Sequence, residues 1–115
     1  MSNNQLLHWD FSSNNDKICL SFSGELTRFT LSSVLKERHH FFAKIKNNSS
    51  IILWDFSELY RIDSAGFAFL CELLHQGESL SKNQILINSP KQFLTLADLF
   101  GLSNWLSAFL PQMGK

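Results

Sequence analysis

The sequence contains only two cysteines and five glycines among 115 residues, and their placement excludes several kinds of site. Cys19 and Cys71 lie far apart inside apolar runs, and neither belongs to a C-x-x-C or similar metal or redox spacing. The scattered glycines form neither G-x-x-x-x-G-K-[ST] nor G-x-G-x-x-G, the two loops that hold nucleotide phosphates. We therefore expect buried free thiols in a reducing compartment, no metal site and no cofactor.

Long apolar runs and a surplus of charge of either sign are also missing. No segment approaches the roughly 18 apolar residues that a membrane-spanning helix needs, and the N-terminus lacks the basic and apolar regions of a signal peptide. Ten Lys and Arg residues balance ten Asp and Glu residues, so the formal net charge is +0. Because nucleic acids and anionic membranes attract basic proteins, the sequence argues against both partners. It predicts a cytoplasmic protein without direct membrane insertion.

Apolar side chains are abundant. Hydrophobic residues make up 44% of the chain, which is enough for one packed domain. Eleven residues are Phe and only one is Tyr, so the aromatic residues are strongly apolar. Proteins of near-neutral charge tend to associate, and we expect some of these rings to lie on a surface that another protein covers.

Alternating strand and helix patterns predict a small α/β domain over residues 8–110, with loose termini at 1–7 and 111–115. Within residues 17–24, Ile18, Leu20 and Phe22 share one face of a strand. The predicted elements are an edge strand at 8–11, a turn at 12–16, a strand at 17–24, a helix from Leu31 to Ile45 capped by Thr27 or Thr30, a central strand buried on both faces at 51–56, a helix from Ser64 to about Leu80, a strand at 83–89, a helix from Pro90 to Gly101 and a final turn or short helix. The order β-β-α-β-α-β-α implies a small mixed sheet with helices packed mainly on one face.

The turn before the second predicted helix carries the strongest candidate for chemistry, Asp63 and Ser64 in the stretch LYRIDSAGFAFL. A serine nucleophile needs a base within reach, but His75 lies eleven residues along the same helix, about 16 Å away. A nucleophile elbow would also have a glycine two residues before the serine, which is absent here. Asp63 or Ser64 is instead a good N-cap for the helix. Capping alone would account for the pair.

Capping does not explain why the helix that follows Ser64 has so few polar residues. At 100° per residue, Leu70, Cys71 and Leu74 lie near Phe67 and form the stripe expected to pack on the sheet. The outward side of the first two turns carries Ala65, Ala68 and Phe69. An exposed Phe among small residues suits a shallow docking patch, so the pattern favours partner binding over catalysis.

Three stretches resemble the STAS domain of anti-sigma-factor antagonists and related proteins: SFSGEL at 21–26, IILWDFSELYRIDSAGFAFL at 51–70 and FLTLADLFGLSNWL at 93–106. The resemblance spans about residues 17 to 110. It is strongest with the STAS subunits of ABC transporters that move phospholipid between the membranes of Gram-negative bacteria. It implies a non-enzymatic subunit that binds the cytoplasmic ATPase, in a complex with a permease and a lipid-binding protein. Such a subunit would be peripheral at the inner membrane and would help to maintain outer-membrane lipid asymmetry.

The same resemblance implies which residues meet the partner. Ser64 matches the hydroxyl position that is phosphorylated in the sigma-factor switch and that contacts the ATPase in the transporter subunits. An anti-sigma-factor antagonist switched by phosphorylation of Ser64 is therefore the alternative function. The family often has Ser or Gly where this chain has Ala65. The predicted partner-binding residues are Asp63, Ser64, Ala65, Gly66, Phe67, Ala68 and Phe69, with Tyr60 and Arg61 before the turn and Arg28, Thr30 and Leu35 near the first helix.

Overall fold

A computed structural model of the protein describes residues 6–14, 16–37, 39–40, 42–43, 51–80 and 83–111. The predicted order of strands and helices is confirmed, and the last element, predicted as a turn or a short helix, is a short helix. The elements are β1 (Leu7–Asn14), β2 (Lys17–Leu26), α1 (Leu31–Leu35), β3 (Ile51–Ile62), α2 (Ser64–Glu78), β4 (Asn83–Ile87), α3 (Lys91–Leu99) and α4 (Ser103–Ser107). None of the helices in these ranges is long and apolar enough to cross a membrane.

The four strands form one mixed sheet in the order β1-β2-β3-β4. β1 and β2 make an antiparallel hairpin in which Asn14 pairs with Lys17, whereas β2, β3 and β4 run parallel. Parallel neighbours need crossover connections, and α2 supplies the one between β3 and β4. The carboxyl ends of β2 and β3 therefore lie side by side, next to the starts of α1 and α2.

One face of the sheet forms the core. The predicted alternation in β2 is confirmed, because Ile18, Leu20 and Phe22 are fully buried. They share this face with Ile52, Trp54, Phe56 and Leu86. The indole Nε1 of Trp54 donates to Gln84 Oε1 at 2.7 Å, and Gln84 Nε2 donates to the carbonyl of Leu74 at 2.9 Å. These bonds satisfy the buried side-chain polar atoms of Trp54 and Gln84 and link α2 to β3 and β4.

Two strands are longer than predicted. Residues 12–14, predicted as part of a turn, pair with β2, and Leu7, predicted as part of a loose terminus, begins β1. β3 continues to Ile62 because pairing with β2 persists through two irregularities in register. The expectation that residues 51–56 are buried on both faces was wrong, since Ile51, Leu53 and Asp55 are only half-buried.

The first helix is shorter than predicted. α1 ends at Leu35, although residues 39, 40, 42 and 43 are again helical. Thr30 precedes α1 but makes no side-chain cap bond with it. Phe41 and Ile45, which the helical spacing included, lie outside the described residues. At the other end of the chain, Gly101 follows α3 with φ of 72°, as expected for a residue that ends a helix.

Candidate partner-binding surface at the start of helix α2

Asp63 is the N-cap of α2, which resolves the choice between Asp63 and Ser64. Its backbone is extended, and its Oδ1 accepts a hydrogen bond from the N–H of Gly66 at 2.9 Å. The carbonyl of Asp63 accepts the first helical bond, from the N–H of Phe67 at 2.8 Å. Ser64 is therefore the first helical residue, and its side chain is exposed.

The second carboxylate oxygen of Asp63 binds the loop between β2 and α1. Oδ2 accepts a hydrogen bond from the backbone N–H of Arg28 at 3.0 Å. Partial desolvation of the carboxyl opposes its ionisation. Hydrogen bonds from the N–H groups of Arg28, Gly66 and Ala65, with the charge of Arg28, outweigh that effect and lower the pKa of Asp63. The group is ionised at neutral pH.

The loop itself is held by Thr30. Its Oγ1 accepts from the N–H of Thr27 at 3.0 Å and donates to the carbonyl of Glu25 at 2.9 Å. The N–H of Asp63 donates to the carbonyl of Leu26 at 3.3 Å, and a Cβ on Gly66 would overlap the Leu26 carbonyl. The loop and the start of α2 are thus fixed to each other before any partner binds.

The predicted partner-binding residues fall into three groups by exposure. Those exposed are Arg28, Leu35, Tyr60, Arg61, Ser64 and Ala68, those half-buried are Asp63 and Ala65, and those buried are Thr30, Gly66, Phe67 and Phe69. Thr30 and Gly66 are buried and cannot contact a partner directly, but Thr30 holds the loop through its hydrogen bonds and Gly66 allows α2 to approach Leu26.

The prediction that Phe69 points outward was wrong, because its ring is only 4% exposed and belongs to the core. The 100° spacing predicts an outward Phe69 only if α2 is covered on the sheet side alone. The ring of Phe67 instead packs against Phe93 and stacks on Phe100, with centroids 5.1 and 5.7 Å apart. The helix is therefore enclosed on more than one side, and both Phe67 and Phe69 are buried.

The exposed apolar side chains come from other segments. Phe29, in the loop held by Asp63, is 79% exposed, and the Arg28 guanidinium lies 4.9 Å from its ring centroid. Tyr60 is 69% exposed, and its hydroxyl lies 3.5 Å from Glu25 Oε2. Leu6, Phe29, Arg61 and Asp63 are among the residues that line a cavity of about 350 Å³. Phe29 was missed by the sequence analysis, although an apolar residue in a polar loop is itself a signal.

Phe29, Tyr60, Arg61, Ser64 and Ala68 make up what we call the α2-start surface. Two more exposed apolar residues, Leu99 and Phe100, lie at the end of α3, where the ring of Phe100 stacks on Phe67 of α2. The surface has an apolar rim, a hydroxyl at a helix N-terminus and charged groups between them. Such a surface suits a protein partner.

Two described histidines each pair with a glutamate close in sequence. The ring of His75 lies near the far end of α2, with Nδ1 3.2 Å from Glu78 Oε1, and His40 Nδ1 lies 2.8 Å from Glu37 Oε1. Within the part of the chain that the structure describes, no group of three or more His, Cys, Asp or Glu side chains could hold a metal ion.

Several known proteins are similar to this chain in sequence or in fold. Residues 8–112 match the family model for the STAS domain. The intermembrane phospholipid transport system binding protein MlaB of Haemophilus influenzae is 47% identical over 105 residues, which are 91% of this chain and 100% of that protein.

Two solved structures of SpoIIAA have the same fold. The anti-sigma factor antagonist SpoIIAA in its unphosphorylated form has a TM-score of 0.66 and 17% identity, covering 94% of this chain and 90% of that one. The Bacillus cell fate determinant SpoIIAA in the phosphorylated form has a TM-score of 0.64 and 15% identity, covering 94% of this chain and 93% of that one. At such identities the similarity shows the fold alone. The family match and the similarity to MlaB show that the chain belongs to the STAS domain family.

Proposed function

We propose that the chain is a non-enzymatic subunit of an Mla-type intermembrane phospholipid transport system. It binds the cytoplasmic, MlaF-like ATPase subunit through the α2-start surface and supports the assembly and activity of the complex. The 47% identity to a phospholipid transport binding protein over that protein's whole length supports the transport role. The observation that carries the docking role is the concentration of exposed apolar side chains around a rigid helix start.

The apolar side chains supply the binding energy in this proposal. Leu6, Phe29 and Tyr60 are all more than half exposed, and each lies at or beside the α2-start surface. Covering one such side chain is worth roughly 1.5–3 kcal/mol, and a few anchors of this kind dominate most interfaces. Because Asp63 and Thr30 already hold the loop and the helix, little conformational entropy is lost on docking.

Ser64 sets the register of the docked partner. Its hydroxyl is exposed at the first helical position, while Asp63 occupies the N–H groups of Ala65 and Gly66. The hydroxyl is therefore free to exchange a hydrogen bond with the partner. The distance to His75 leaves Ser64 without a general base on its own helix, which agrees with a binding role.

The alternative, an anti-sigma-factor antagonist switched by phosphorylation of Ser64, has support from the exposure of the hydroxyl. The same geometry weakens it. A helix N-terminus stabilises phosphate through free N–H groups, and here the carboxylate of Asp63 accepts hydrogen bonds from the N–H groups of Ala65 and Gly66. A phosphate on Ser64 would also face that ionised carboxylate.

In the proposed complex, a permease and a lipid-binding protein act with the ATPase, and the chain is peripheral at the inner membrane through its partner. The complex maintains the lipid asymmetry of the outer membrane. The test is co-expression of the tagged chain with the ATPase subunit of the same organism, followed by size-exclusion chromatography. We expect one stable complex. Separate elution of the two proteins would overturn the proposed function.

A further inference from the structure

The sheet has a second face that does not contribute to the core. Strand pairing puts three rows of side chains on it: Lys17 with Ile51 and Asn83, Cys19 with Leu53 and Ile85, and Ser21 with Asp55 and Ile87. We call these nine residues the open sheet face. Among the described residues, the core and the side chains packed against it include none of its four Ile and Leu residues.

Charge is distributed unevenly along the open sheet face. Lys17 lies at one end. At the other end, Asp10 of β1 and Asp55 of β3 pair with Ser21 of β2 from its two sides. Glu58 extends the acidic end, since it pairs with Ser23. Burial, and then the carboxylates of Asp55 and Asp10, raise the pKa of the Cys19 thiol, as expected if all three share one face. The apolar row of Cys19, Leu53 and Ile85 separates the two ends.

We propose that the open sheet face binds a second copy of this chain, related by a two-fold axis that runs across the strands. Two-fold interfaces bring the same patch of each copy together, so the patch must complement itself. With the axis through the central row, Leu53 and Ile85 of one copy meet the same residues of the other. The strands of the two copies then run in opposite directions.

The charges select this orientation. Rotation about an axis across the strands brings Lys17 of one copy over Ser21 of the second copy, between its Asp10 and Asp55. Rotation about an axis parallel to the strands would place the acidic ends of both copies together, and like charges in contact are unfavourable. The formal net charge of +0 adds no overall repulsion between copies.

The contact is small, so the dimer is weak. The three strands of the open sheet face, spaced about 4.8 Å apart and five residues long at about 3.3 Å per residue, cover roughly 240 Å². A standard interface buries about 800 Å² on each partner. We therefore expect association in the micromolar range or weaker. The α2-start surface lies at the carboxyl ends of the strands, outside the open sheet face, so each copy keeps it available and the inference stands independently of the proposed function.

The experiment is sedimentation equilibrium of the purified full chain from low micromolar to near-millimolar concentration. We expect the mean mass to rise from monomer to dimer, and we expect Leu53→Lys to weaken the dimer at least tenfold. Leu99→Lys, an equally drastic change at an exposed leucine outside the face, should leave the dimer unchanged. A chain that stays monomeric throughout, or equal effects of the two variants, would overturn the proposal.

A charge exchange tests the relative orientation of the two copies and leaves the apolar residues of the open sheet face unchanged. Asp55→Lys and Lys17→Asp should each weaken the dimer roughly 2- to 30-fold, because each pair occurs twice by symmetry. The double variant should bind more tightly than either single variant, since it returns opposite charges to positions 17 and 55, although Asp10 still opposes the new aspartate and keeps the affinity below that of the wild type. If the double variant dimerises no better than the single variants, the two-fold arrangement is wrong. Circular dichroism of every variant verifies that it remains folded.

Discussion

The Oδ2 atom of Asp63 accepts a hydrogen bond from the backbone N–H of Arg28 at 3.0 Å, across 35 positions of sequence. The other carboxylate oxygen caps α2 through Gly66. One side chain therefore fixes the loop that presents Phe29 to the helix that presents Ser64. This link makes two distant segments a single surface, and it underlies the predictions that follow.

The first prediction concerns pH. The folded-state pKa of Asp63 lies below its ordinary value of 3.8, so the stabilisation is fully present above that value and is lost as pH falls through the folded pKa. Asp63→Asn removes this titration. Urea unfolding of both proteins at pH 7, 5 and 3 should show that the wild type loses more stability than Asp63→Asn between pH 5 and 3. Parallel losses would show that the carboxylate does not stabilise the fold.

The second prediction concerns the close approach of Gly66 to β2. Gly66→Ala would place a Cβ against the Leu26 carbonyl, which is backbone and cannot rotate away. We expect a loss of about 1–3 kcal/mol in the free energy of unfolding. Ala68→Ser, two residues on and exposed, is the control and should change stability by less than about 0.5 kcal/mol. An unchanged unfolding midpoint for Gly66→Ala would contradict the described contact.

The third prediction separates binding from folding at Phe29. Because the ring is 79% exposed, Phe29→Ala should leave the free energy of unfolding within about 0.5 kcal/mol of wild type. Its affinity for the ATPase subunit should fall by about 1.5–3 kcal/mol, roughly 10- to 150-fold. Phe69→Ala should do the reverse, destabilising the fold by about 3–5 kcal/mol because that ring is buried. Calorimetric titration and thermal unfolding of the same samples distinguish the two effects.

The sequence predicted well those parts of the fold in which one local pattern determines the secondary structure. The alternation of Ile18, Leu20 and Phe22 specified a strand with one buried face, and the Asp63-Ser64 pair specified a helix start. β3 was predicted too short because Ser57, Glu58, Tyr60 and Arg61 are exposed near its end. Pairing with β2 holds those residues in the strand, and pairing is a non-local property.

The candidate site was predicted in position but not in composition. The 100° spacing of helical residues predicted that Phe69 lies opposite the sheet. That spacing carries no information about the segments that cover α2 on its other sides, such as the one with Phe93 and Phe100. Phe29 has no periodic pattern around it, so its exposure follows only from the hydrogen bonds that hold its loop. Both errors arise from tertiary packing, which acts between segments distant in sequence.

The most direct test of the docking claim is the dissociation constant between the purified chain and the ATPase subunit for two serine variants. Ser64→Arg places a long charged side chain at the centre of the α2-start surface, while Ser79→Arg makes the same change at the exposed C-terminal end of the same helix. We predict that Ser64→Arg weakens binding at least a hundredfold and that Ser79→Arg binds like the wild type. Equal affinities for the two variants, with both folded, would contradict the account.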